Sequence, residues 1–316
     1  MQFELYHYPC CLCGSTKHKV LYPAQIQDDK IFDPACFQQS YANNSTLRIV
    51  RCTNCGFIFN DPRETPEGLA YIYSQVEDED YINELPGKLA NFKRNLDFIE
   101  TYKQQGTLID VGCGHGYFLG LADPQRWQRL GIEPSTDAAD EARNTYNVDV
   151  FAGTLDQAPI PAQSADVITL LHVIEHVFNP LELLQQASKL LRPDGIIYIE
   201  TPDIGSGFAR LLGRKWWYIM RFHTHYFTVR TLTLACRKVG LEVESIIRPP
   251  KTWSLGYLIW RLGGYFPRSA WSLGYFPRTA RLILPIVKKL NLFKVLMTFK
   301  ISDQIGLLAR KPSSHA

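Results

Sequence analysis

Short apolar runs in the middle of the chain each end at a charged residue or a glycine and give way to a segment of helical character. The run Leu108-Ile109-Asp110-Val111 leads into glycines at 112, 114 and 116 and then an apolar helix. Residues 129–135, RLGIEPS, form a second short apolar strand closed by Glu133. DVITLL, within 164–177, reads as a third, followed by a helix through about Leu191, the turn Leu191-Arg-Pro-Asp-Gly195 and the strand IIYIETPD. Further on, the helix TVRTLTLACRKVG, with Thr228 as its expected cap, precedes the strand LEVESII, and a final strand falls near 303–311. Strands alternating with helices in this way predict an α/β domain with a mostly parallel sheet.

The glycine cluster carries the first chemical signal. Glycines at a strand-to-helix turn let the backbone approach a ligand closely, and the amides there favour anionic or polar groups. A dinucleotide fold expects its third glycine at 117, where this chain has Tyr117. Glu133, at the end of the next strand, is placed to take both hydroxyls of a ribose. The spacing therefore favours a nucleoside cofactor other than a dinucleotide, with a nicotinamide oxidoreductase as the alternative.

Asp110-x-Gly112-x-Gly114-x-Gly116, Glu133 and the Leu191-to-Gly195 turn, in this order, resemble the class I S-adenosylmethionine-dependent methyltransferases over roughly residues 85–250 plus the last strand. The resemblance implies a Rossmann-like seven-stranded sheet of order 3-2-1-4-5-7-6 with the last strand antiparallel. It also implies S-adenosylmethionine as methyl donor: Asp110, Gly112, Gly114 and Gly116 would hold the methionine part, Glu133 the ribose, and Thr154 and Leu155 the adenine. A non-catalytic scaffold that retains the fold is a further alternative, against which the intact glycine motif argues.

At 316 residues and 46% hydrophobic content the chain can bury a large core plus an accessory module. The start MQFELYHYPCC has no basic stretch leading into an apolar run, and nowhere do eighteen apolar residues follow one another, so the expectation is a cytoplasmic protein without a membrane-spanning helix. Eight cysteines in that setting point to metal or free thiols. Four form matched knuckles, Cys10-x-x-Cys13-Gly14 and Cys52-x-x-Cys55-Gly56, expected to close a tetrahedral structural zinc site. Cys36, between the knuckles, and Cys113 and Cys236 read as small apolar fillers. The basic content of this segment is low, with aspartates at 28, 29 and 33, so nucleic acid is disfavoured as a partner. The expected units are a zinc-ribbon module at 1–65, a core with linking helices at 66–250, a basic apolar insert at 251–302, and the last strand and tail at 303–316.

Cysteine knuckles followed by FNDPR at 59–63 and this core resemble the zinc-containing sugar C-methyltransferases and related small-molecule methyltransferases, with the departure that those carry a large additional domain where this sequence stops shortly after its expected final strand. A sugar or lipid-linked glycan precursor is the acceptor that this resemblance suggests, and tyrosines at 71–81 are candidates to line its pocket. The same family places a base at the histidine matched by His225 in FHTHYFT. His172-x-x-Glu175-His176 matches an inverted zinc-protease signature, but it straddles a strand end rather than lying on one helical face, so His172 and His176 read as lining the acceptor pocket. The insert at 251–300 contains no Asp or Glu while carrying nine Lys or Arg among tryptophans, tyrosines and leucines. That mixture suits an interfacial element on an anionic membrane, here the inner membrane surface, with a lid or an oligomer contact as alternatives. Oligomeric state is not legible.

Overall fold

The computed structural model describes residues 4–26, 46–69, 84–264 (backbone only for 260–264), 289–300 and 303–313. Cys36, the tyrosines at 71–81 and the two GYFPR copies of the insert lie essentially outside them. The N-terminal segment contributes β1 (Leu5–Tyr6), β2 (His18–Tyr22), β3 (Ile49–Cys52), β4 (Ile58–Asn60) and β5 (Arg63–Glu64). The core then runs α1 (Leu85–Glu100), β6 (Gly106–Val111), α2 (Tyr117–Leu121), β7 (Trp127–Glu133), α3 (Thr136–Tyr146), β8 (Asp149–Ala152), β9 (Ala165–Leu171), α4 (Pro180–Leu190) and β10 (Leu191–Pro202). It continues through α5 (Gly207–Leu212), β11 (His225–Tyr226), α6 (Val229–Lys238), β12 (Glu242–Ile247), β13 (Lys251–Ser254), α7 (Leu255–Gly264), β14 (Leu296–Phe299) and β15 (Gln304–Arg310).

Seven strands form the main sheet in the order β12-β15-β10-β9-β6-β7-β8. β15 runs antiparallel to both β10 and β12, while the pairs among β6 to β10 are parallel. Counted from β6 as the first strand, this is the expected 3-2-1-4-5-7-6 order with its antiparallel last strand. Alternation along the strands feeds two cores: Leu108, Ile196, Tyr198 and Leu308 join the cluster shared with α1, α2 and α3, whereas Ile109, Ile197, Ile199 and Leu307 join the one shared with α4 and α6. The expected Thr228 cap is present as a reciprocal box with Thr231.

The N-terminal module is stitched into the core. β11, from the core, pairs with β4 and completes a four-stranded sheet β11-β4-β3-β2. Phe57 and Phe59 are buried in the same cluster as Ile109 and Phe227. A buried ion pair between Arg221 and Glu64 spans the same junction. In the insert, β13 pairs with β14 and is held against α1, where Glu84 accepts from the Ser254 amide at 3.0 Å and from its hydroxyl at 2.9 Å. No helix among the described residues is long and apolar enough to cross a membrane.

Candidate functional site

The carboxyl ends of β6, β7 and β8 bring the expected cofactor residues together. Glu133 closes β7, and its carboxylate accepts from the Gly114 amide at 2.9 Å through Oε2 and from the Ser135 amide at 2.9 Å through Oε1. Each oxygen keeps acceptor capacity, as a pair of ribose hydroxyls requires. Gly112 has φ +72°, and a Cβ there would lie 2.6 Å from Val173 Cγ2; Gly116 has φ +76°, with Ala142 Cβ at 2.7 Å. The loop must therefore be glycine at both places for steric as well as conformational reasons. The helix that follows, α2, is only five residues long, so the polarity offered to a ligand comes chiefly from loop amides rather than a helix dipole.

Gly153 donates to the Glu133 carbonyl at 2.9 Å, which draws the Thr154–Leu155 segment alongside β7. The Leu155 side chain is buried with Ile132 and Ile174, so it offers a ligand backbone and a flank rather than an open face. Asp110 is buried and takes the Thr169 hydroxyl at 2.6 Å; burial pushes its carboxyl up to about 7.

A second polar cluster lies at the ends of β9, β10 and β15. His172 leaves β9 with φ +58°, in the left-handed region, its amide donating to the Glu200 carbonyl at 2.8 Å. Its Nδ1 is 3.3 Å from Glu175 Oε1, its Nε2 is 3.4 Å from Glu200 Oε1, and the Gln304 side-chain amide is 3.2 Å from the same nitrogen. Burial would lower the His172 pKa, but hydrogen bonds to Glu175 and Glu200 outweigh it and hold the ring up at about 8. Tyr218 joins from the loop after α5, its hydroxyl 2.9 Å from Gln304 and 2.6 Å from Lys251 Nζ. His176 and His223 meet edge to face with ring centroids 4.7 Å apart, and burial lowers the pKa of both, His223 to about 3.

His225 lies elsewhere. It belongs to β11, opposite Phe59, with its ring stacked on Phe57 at 5.6 Å. Nε2 accepts from Arg63 at 3.0 Å, and Nδ1 is 2.9 Å from the Thr224 hydroxyl. Burial, and then the Arg63 charge, push its pKa well below 6.5. Of the histidines in FHTHYFT, it is His223 that joins His176, a contact between distant segments that no local pattern signals.

The four knuckle cysteines converge. Cys10 and Cys55 Sγ are 3.5 Å apart, as are Cys13 and Cys52 Sγ, and all four lie within 4.8 Å of one another. A disulfide needs about 2.05 Å between sulfurs. Tetrahedral thiolates about 2.3 Å from zinc stand about 3.8 Å apart, so the donor set and spacing fit that metal.

A profile described as a methyltransferase domain matches residues 81–246, more than half of the chain. The chain belongs to the methyltransferase domain family. Its fold is that of the class I S-adenosylmethionine-dependent methyltransferases. A probable S-adenosylmethionine-dependent methyltransferase of Mycolicibacterium smegmatis is 28% identical over 44% of this chain and 53% of its own length. Another of that description, from Mycobacterium tuberculosis, is 28% identical over 30% of this chain and 35% of its own. A ubiquinone biosynthesis O-methyltransferase of Actinobacillus pleuropneumoniae is 31% identical over 34% of this chain and 51% of its own. This methyltransferase chain thus spans between a third and a little over half of the length of these relatives.

Proposed function

We propose that this methyltransferase transfers a methyl group from S-adenosylmethionine to a small-molecule acceptor bound beyond the ends of β9, β10 and β15. The observation that carries the reading is the hydrogen bond from the Gly114 amide to the Glu133 carboxylate, which locks glycine loop and ribose acid into one rim. When bound, S-adenosylmethionine supplies an activated methyl on a sulfonium centre. Glu133 receives the ribose hydroxyls, Asp110 and the loop at 112–116 receive the methionine part, and Thr154–Leu155 flank the adenine. Positioning supplies much of the acceleration for an in-line displacement, and a base is needed only where the acceptor must lose a proton. His172 and His176 are the residues assigned to orient the acceptor or hold its proton; His225, engaged by Arg63 and Phe57, is assigned instead to the junction with the ribbon.

Cys10, Cys13, Cys52 and Cys55 are assigned a structural zinc, since four thiolates would close its shell. A sugar or lipid-linked glycan precursor is the acceptor class that the ribbon and FNDPR support. Peripheral contact with an anionic membrane is supported by the described part of the insert, where Leu290, Val295, Leu296, Met297 and Phe299 are exposed beside the exposed Lys289, Lys294 and Lys300.

Calorimetry with S-adenosylmethionine and with NAD tests the cofactor: saturable binding of the first alone is expected, and binding of NAD alone would overturn the assignment. Untargeted metabolite comparison with and without the gene should then show one methyl group missing from a small molecule.

A further inference from the structure

We propose that Glu175, His176 and His223 form a second metal site, for a divalent transition-metal ion, at the acceptor side of the sheet. It rests on the reading of that rim as the acceptor side and deepens it, because His176 would then ligate a metal instead of holding a proton.

One ligand atom from each of the three residues lies within 4.8 Å of the others. Glu175 and His223 are more than nine-tenths buried. The two segments that carry them are far apart in sequence but are pinned backbone to backbone: the Thr224 and His225 amides both donate to the Glu175 carbonyl at 3.1 Å. The cluster is therefore set by main-chain register on both sides, which is how a preformed metal site is kept rigid.

The partners of the ligands are those that metal-binding side chains use. His176 Nδ1 donates to the Phe222 carbonyl at 3.3 Å, which places the ring's lone pair on Nε2. His223 is hydrogen-bonded to the Tyr218 backbone, and its ring stacks on the Tyr218 ring at 5.9 Å and 10°. Glu175 Oε2 accepts from the Thr201 hydroxyl at 2.8 Å, which fixes the carboxylate plane. Two imidazoles and one carboxylate suit zinc, iron(II), cobalt(II) or manganese(II), and three protein ligands leave at least one position for an oxygen of the acceptor or a water.

The site differs chemically from the four thiolates of the ribbon, and that difference makes it testable without acceptor or methyl donor. The full chain, with zinc in the ribbon, is titrated with Mn2+ followed by electron paramagnetic resonance and, separately, with Co2+ followed by visible absorption. One equivalent of Mn2+ is expected to bind, and Co2+ should give d–d bands without the thiolate charge-transfer absorption of a cysteine site. His223→Gln and His176→Asn should each weaken Mn2+ binding by at least about tenfold, the smallest effect expected even for loss of a supporting group. A folded His223→Gln or His176→Asn that binds Mn2+ like wild type would overturn the site. So would a wild type that takes up neither ion beyond the ribbon. Should both variants unfold, the cobalt spectrum of the wild type decides. Failure of S-adenosylmethionine to bind would count against the methyltransferase reading and leave this result unaffected.

Discussion

The ends of β6 to β8 and the ends of β9, β10 and β15 share one edge of the sheet, yet they are built in different ways. On the first side, Glu133 takes amides from Gly114 and Ser135, and the glycines at 112 and 116 leave no room for a Cβ, so the rim is built mostly of backbone. On the second, His172, Glu175, Glu200, Tyr218, His223 and Gln304 interlock through side chains drawn from separate elements. The two sides touch where Gly112 packs under Val173, in the turn that also carries Glu175. A backbone-built site can hold one cofactor across many chains, whereas a side-chain-built site can change with the acceptor.

The largest effect on the difference between the two sides should come from loss of the ribbon. Cys52→Ser should lose zinc and unfold the N-terminal module, since apparent zinc binding in small modules is worth about 10 kcal/mol or more. Because β4 pairs with β11 beside His223, methyl transfer should collapse while affinity for S-adenosylmethionine changes less than about tenfold, as the proposed cofactor rim takes no residue from the described part of the ribbon. Elemental analysis and calorimetry on the same preparation check both halves; equal loss of both would show that the two sides are not separable.

A smaller effect should come from the anchor of β13, the strand whose Lys251 reaches Tyr218. Burial raises the Glu84 carboxyl from 4.5 to about 7, so the folded chain binds that proton more tightly than the unfolded chain does. The stability it contributes is complete below pH 4.5 and is lost as pH rises through about 7, amounting to about 3 kcal/mol at most. Glu84→Gln should flatten that part of the profile in thermal unfolding; an unchanged profile would place the titrating group elsewhere.

Glu133→Ala sharpens the other side. Removing the carboxylate proposed to accept both ribose hydroxyls should weaken S-adenosylmethionine binding by about 1.5–3 kcal/mol without altering Mn2+ uptake at Glu175, His176 and His223. Unchanged cofactor affinity in calorimetry would remove Glu133 from the site.

A separate change concerns the insert. Each basic residue near an anionic bilayer contributes about 1 kcal/mol, so Lys289→Glu, Lys294→Glu and Lys300→Glu together should reduce co-sedimentation with anionic liposomes at low salt, and added salt should reduce that of wild type. Wild type that stays in the supernatant at low salt would leave the exposed face of β14 as a lid or a contact between chains.

Much of the fold was legible because its signals are local. Strand and helix periodicity, the glycine loop, the acid at 133 and the cap at Thr228 each occupy a few consecutive residues whose backbone needs are read from residue type. The four cysteines were legible for the same reason, since each knuckle is a single turn. The cluster at the ends of β9, β10 and β15 was only half legible. His172 and His176 stand in one turn after β9, but the residue that completes their cluster is His223 rather than His225, and the two differ by which face of a loop-to-strand transition they occupy. The joining of ribbon and core through β11 was likewise invisible, because a two-residue strand has no periodicity to detect.

Residue types and short spacings were enough to specify the class of fold, the glycine turn that brings Gly114 to Glu133 and the set of four cysteines that converge, because these follow from local backbone conformation that any folded form of the chain must respect. The tertiary structure decided which histidines meet, which one is shut away against Arg63 and Phe57, and that Glu175 faces two imidazoles. Those outcomes depend on the register in which residues 222–226 dock against Glu175 and β4, and register between distant segments is set by packing the whole core.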